Sequence, residues 1–264
     1  MRTQKGKLNP IYLKNCLLAF SIMFIAYFGM AMPEWVISAD WGSEFRPSAL
    51  EQSLMGIFFG GIMLLTPLCA SVTSGVLQCD EVHSSILDWK LLRSSVKKYS
   101  ARQLTYSFFR GGICIAGAFA VNAILWNLIA LPCDIVKHPY HELPFADDCL
   151  YSTWYSVNGG LLVYLWIIAG MFISGGTWAL VSMAISVWMP EKLMSIVIPS
   201  CIYYLLSMSI FRHLFGWNIP HPSDFYNDTV NWYIAGRSLL EHIIIAAISI
   251  AAYVGGIRRR LKNA

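Results

Sequence analysis

Charge is what this sequence has least of. Aspartate, glutamate, lysine and arginine make up 13% of its 264 residues, about half the ~25% of an ordinary soluble domain, and too little to cover a globule of this size with polar surface. The formal net charge is only +4, so no strongly basic field argues for a nucleic-acid partner. The seven cysteines are too scattered for a disulfide scaffold or a zinc site. Cys16, Cys69, Cys114 and Cys201 fall in apolar stretches, where a thiol packs as a small hydrophobe. The chain has no Gly-x-x-x-x-Gly-Lys-Ser/Thr loop and no Gly-x-Ser-x-Gly elbow, so two common nucleotide-binding and hydrolase signatures are missing. The short alternating segments of a membrane barrel are missing as well.

What the chain has is length in its apolar runs. Hydrophobic residues make up 56% of it and the mean hydropathy is +0.54. A block of about 20 such residues, rising about 1.5 Å each, matches a hydrocarbon core of about 30 Å. Inside that core a helix satisfies its own backbone. The expectation is an all-α polytopic membrane protein, one transmembrane domain over 1–264, with spans near 13–33, 52–75, 107–132, 159–188, 193–215 and 238–257. The first run ends in Met30-Ala31-Met32-Pro33, a poor cleavage site, and reads as a retained helix rather than a signal peptide. Pro67 and Pro199 fall inside the second and fifth spans, where a proline frees a carbonyl that a neighbouring helix must re-satisfy. The run Gly170, Ser174, Gly175, Gly176 predicts close helix packing.

Basic residues give these spans a direction. Fifteen of the 19 lysines and arginines lie in the N-terminal segment, the second-to-third connection, the fourth-to-fifth connection and the C-terminus. Only Arg46, Lys137, Arg212 and Arg237 lie in or beside the other loops. The positive-inside rule places both termini in the cytoplasm. The opposite loops are acidic and aromatic, and Cys133 and Cys149 share one of them. A disulfide between these two is an open expectation. His138, His141 and Glu142 cluster in the same loop and read better as a polar loop than as a metal site. Asn227-Asp228-Thr229 matches a glycosylation sequon.

The connection Gln78–Phe109 is patterned. Val82, Ile86, Trp89, Leu92, Val96 and Tyr99 recur every three or four residues, as on an amphipathic helix. Ser94-Ser95 predicts a break into two helices, the second capped by a serine and leading into the third span. Such a helix can lie on anionic membrane lipid or enter a groove on a partner protein.

With the loop in place, the chain resembles the permease subunit of a type-2 ATP-binding-cassette exporter. The likeness rests on six spans with cytoplasmic ends and on a stretch of about 35 positions: Asp80-Glu81, Leu91-Leu92-Arg93, Lys97-Lys98-Tyr99-Ser100-Ala101-Arg102 and Gly111-Gly112. The resemblance implies that Glu81, Ile86, Trp89, Arg93, Lys97 and Tyr99 form or anchor a coupling helix seated on a separate ATPase subunit. It implies that ATP and Mg belong to that subunit, so that this chain is not an enzyme and binds no cofactor. It also implies a plasma-membrane location, a second permease copy, and a substrate path between spans one, two and five. The polar candidates within spans are Arg110, Asn122, Asn127, Arg212, His213, Glu241 and His242. Asn122 and Asn127 are those placed on the path. So few charges favour an amphipathic peptide- or lipid-like cargo over a small ion. The segment 216–236 is where such exporters place an external gate. The competing expectation is a non-transport membrane protein, an intramembrane enzyme or scaffold, whose basic loop binds lipid.

Overall fold

The computed structural model describes residues 10–39, 49–58, 64–84, 86–130, 160–207 and 232–263. Among these residues the fold is all-α, with eight helices: α1 (Pro10–Ala39), α2 (Ala49–Phe58), α3 (Leu65–His83), α4 (Ile86–Arg93), α5 (Val96–Ile129), α6 (Leu161–Trp188), α7 (Lys192–Ser207) and α8 (Trp232–Asn263). Four are long and apolar enough to cross a membrane: α1 over Leu13–Pro33, α5, α6, and α8 over Ala235–Lys262. They make the chain a candidate multi-pass membrane protein.

The second expected span, 52–75, is not one helix. It is divided between α2 and α3, and residues 59–63 lie outside the described segments. Pro67 consequently stands in the first turn of α3 rather than mid-span, where its missing N–H costs nothing. Pro33 interrupts nothing either, since α1 runs on to Ala39. The fifth span is helical over Lys192–Ser207 and leaves the described residues beyond that point.

Helix α3 carries the largest group of buried polar side chains among the described helices and lies well inside the bundle. Twelve of its 19 residues are buried, among them Thr66, Ser71, Thr73, Ser74, Gln78 and Glu81. Ser71 Oγ donates to Pro67 O and Thr73 Oγ1 to Ala70 O, each at 2.6 Å, so these hydroxyls are satisfied within the helix. Helices α1, α5, α6 and α7 pack against it. In α1 only 22% of the apolar window is buried, and Leu13, Leu17, Ile25 and Val36 face outward.

α5 and α6 interlock through glycine. A Cβ added at Gly111 would meet Gly175 O at 2.5 Å, and one at Gly175 would meet Gly111 O at 2.7 Å. Gly112 lies on Phe172, and Gly176 on the Phe108 ring. The small-residue run and the Gly-Gly pair therefore meet each other, which gives the expected close packing its partner.

Pro199 shows how a freed carbonyl is recovered. Lacking an N–H, it leaves Ser195 O without its helical donor. Ser182 Oγ of α6 takes that role at 2.6 Å. The same hydroxyl stands where a side chain on Gly75 would lie, so α3, α6 and α7 meet at one point.

Candidate functional site

One end of the bundle gathers the C-terminal ends of α3, α6 and α8 and the N-terminal ends of α5 and α7. Lys192 Nζ pairs with Asp80 at 2.7 Å, and Arg260 Nε donates to Val187 O at 2.9 Å. Arg259 lies 5.3 Å over the Trp188 ring, whose Nε1 donates to Ala252 O at 2.9 Å. These are the ends the charge count assigns to one side.

Serines shape this end. Ser84 closes α3, its N–H and hydroxyl both donating to Asp80 O at 3.0 and 2.6 Å. Ser94 Oγ donates to Lys90 O at 2.9 Å as α4 ends. Ser95 caps α5, its Oγ accepting from Lys98 N at 3.3 Å. The expected break at Ser94-Ser95 and the serine cap are both present, and α5 runs unbroken from there into its apolar span.

The breaks at Ser84 and Ser94-Ser95 reset the helical phase, so the expected stripe packs in part: Val82, Val96 and Tyr99 face the core while Trp89 does not. Leu87 and Leu91 of α4 turn inward, into a cluster with Tyr99, Leu104, Leu180, Val187, Tyr253 and Ile257. Val82 and Val96 pack against that cluster. Trp89 stands on the other side of α4, 64% exposed, and Arg93 is exposed one turn further on. Ile86 opens α4. Lys97 is exposed on the first turn of α5.

Glu81 is the hub. It is only 8% exposed and accepts from Lys90 Nζ at 2.6 Å, Tyr99 OH at 3.0 Å and Gln103 Nε2 at 3.2 Å. Gln103 also donates to Tyr99 OH at 3.3 Å. One turn before Glu81, Gln78 Oε1 accepts from Tyr253 OH at 3.5 Å. The last turn of α3 is thereby tied to α4, α5 and α8 together. Burying a carboxyl group is costly unless donors such as these meet its oxygens. Of the residues expected here, Glu81 and Tyr99 come into direct contact. Lys90 and Gln103 escaped the sequence reading. Gln103 lies one turn beyond Tyr99, so it was recoverable from helical spacing, whereas Lys90 required knowing how α4 folds back.

Beside the hub, a cleft of about 420 Å³ opens between α4 and α5, lined by Lys90, Arg93, Ser94, Lys98, Tyr99, Arg102, Gln103, Tyr106 and Arg110. Arg102 and Arg110 lie 5.5 and 5.8 Å over the Tyr106 ring. Five cations thus line the cleft, with no carboxylate among the described lining residues.

The two asparagines sit elsewhere, among α2, α5 and α6. Asn122 is fully buried, and its Nδ2 lies 3.5 Å from Ser53 O. Asn127 Nδ2 donates to Ala123 O at 2.8 Å and to Tyr164 OH at 2.9 Å. Both take part in contacts between helices. His242 is buried, with Nδ1 2.8 Å from Ser238 O. Arg212, His213, His138, His141, Glu142, Asn227, Cys133, Cys149 and most of 216–236 lie outside the described residues. No cluster of three metal-ligating side chains occurs among the described residues. Cys69, Cys79 and Cys114 are buried thiols. No family model, curated protein or solved structure matches the chain.

Proposed function

We propose that this chain is the transmembrane permease subunit of an ATP-driven exporter and that α4 is its coupling helix. The observation that supports this reading is the mounting of α4. Its outer face presents Trp89 and Arg93, while its inner face is anchored by Leu87 and Leu91 and by Lys90 on Glu81. Glu81 is also bonded to Tyr99 at the root of α5. A load applied at Trp89 would pass into the end of α3 and the start of α5 together, as a lever driven by an ATPase requires.

In this reading α2 with α3 forms the second of six spans and α7 begins the fifth. Both termini lie in the cytoplasm, and the membrane is the plasma membrane. ATP and Mg are bound by a separate ATPase subunit. A second permease copy completes the path, and the cargo is an amphipathic peptide- or lipid-like molecule moved outward. Asn122 and Asn127 remain candidates for the path wall.

Copurification tests the proposal. Mildly solubilised, tagged chain should bring down a Walker-motif ATPase. Trp89→Ala should weaken that association at least tenfold, as loss of a buried aromatic anchor does, without lowering the thermal stability of the chain. A chain that extracts alone, with Trp89→Ala indistinguishable from wild type, would refute it.

A further inference from the structure

We propose that the cleft between α4 and α5 is a binding site for the phosphate headgroup of an anionic phospholipid in the adjoining leaflet. The inference does not depend on the ATPase reading.

Three observations carry it. First, the cleft gathers Lys90, Arg93, Lys98, Arg102 and Arg110, and no carboxylate lines it among the described residues. Cations brought together in a partly enclosed space give it a positive potential that attracts an anion. Glu81 stands at the edge of the cleft, bonded to Lys90, Tyr99 and Gln103. Second, the volume of about 420 Å³ lies within the roughly 300–1,000 Å³ of small-molecule sites, and Arg side chains match a phosphate's oxygens with paired donors. Third, the cleft continues into an apolar track. Arg102 and Arg110 are eight residues apart on α5, about 12 Å along the axis at ~1.5 Å per residue, with Tyr106 between them. At and just beyond Arg110, Phe109 and Ile113 are 50% and 60% exposed. A ligand with a charged head and apolar tails fits that sequence of surfaces. A free phosphate uses only the first part.

The test uses the full chain, purified in mixed micelles of phosphatidylcholine and phosphatidylglycerol, with retained lipid read by native mass spectrometry. Wild type should keep phosphatidylglycerol in preference to phosphatidylcholine. Arg102→Gln and Lys98→Gln should each reduce that preference roughly fivefold, the effect of one cation at an anionic surface. Arg102→Lys, which keeps the charge, should retain most of it. Arg258→Gln, an exposed cation on α8 away from the cleft, should change nothing. A monodisperse elution profile for each variant separates lost binding from lost folding, and Arg102→Lys gives a second reading if Arg102→Gln fails to fold. Equal retention of both lipids by wild type would overturn the proposal, as would an equal loss in Arg258→Gln. Displacement of phosphatidylglycerol by inorganic phosphate alone would assign the cleft to a soluble anion instead. If the cleft variants lose a copurifying protein while keeping their lipid preference, it is a protein-docking surface and the lipid assignment fails.

Discussion

The contact between α5 and α6 and the junction around Glu81 both hold helices together, by opposite means. At the first, Gly111, Gly112, Gly175 and Gly176 let backbone lie on backbone and on Phe108 and Phe172, with no side-chain polar group required. At the second, one carboxylate collects donors from α4 and α5. In lipid, apolar side chains gain nothing by leaving the solvent, so a helix contact inside the bilayer must come from shape and dispersion. At the end of the bundle the junction is polar but buried, with Glu81 8% and Tyr99 7% exposed, so its bonds are shielded from water and demand matched geometry. The first contact selects its partner by shape, and the second by matching donors to one acceptor.

The glycine contact should give the largest effect. Gly175→Val places a branched side chain against Gly111 O and Ile115. Overpacking of that kind costs about 3 kcal/mol, readable as a lowered unfolding temperature in detergent. Gly29→Val serves as the control, because nothing lies within 4 Å of a Cβ there. It should stay within about 1 kcal/mol, the scale of a single helix-propensity change. Equal losses at both positions would mean that the interior is not held by shape.

The junction comes next. Glu81→Ala removes the shared acceptor of Lys90, Tyr99 and Gln103 and should cost about 2 kcal/mol, within the range for orphaned buried polar groups. Glu81→Gln keeps an acceptor oxygen and should cost less. Hydrogen exchange should rise at α4 and the first turns of α5 in Glu81→Ala while the α5–α6 contact stays protected. If protection falls evenly across both, the two regions are one cooperative unit and the contrast fails.

Much of this arrangement was legible in the sequence, for identifiable reasons. The long apolar runs of α1, α5, α6 and α8 announce themselves, because lipid imposes length and hydropathy without regard to partners. Ser95 announced the start of α5 because a cap is local chemistry. The inner face of α4 was not legible. Which of Leu87, Trp89 or Leu91 faces inward depends on phase, and Ser84 and Ser94 each reset it. The division of the second span into α2 and α3 was hidden for a related reason. The stretch reads as continuous in hydropathy, and Pro67 is as acceptable in a first turn as in a kink. The cationic cleft went unseen because α4 must fold back against α5 to bring Lys90 and Arg93 beside Arg102 and Arg110.

Between the two regimes lies Ser182. It sits in a tightly packed interior, beside Gly75, yet its contribution is one hydrogen bond to Ser195 O at 2.6 Å. That carbonyl needs an outside donor only because Pro199, four residues later, has no N–H to offer. Ser182→Ala should therefore cost about 1 kcal/mol, typical of an interhelical hydrogen bond in a membrane. Pro199→Ala restores an amide at the position where a helix would satisfy Ser195 O itself. In that background Ser182→Ala should cost nearly nothing. The nonadditive part of the double-mutant cycle, measured by thermal unfolding in detergent, isolates the hydrogen bond from the packing around it. If the cost of Ser182→Ala is unchanged by Pro199→Ala, then Ser182 acts through its fit against Gly75, and shape governs even where a polar bond is present.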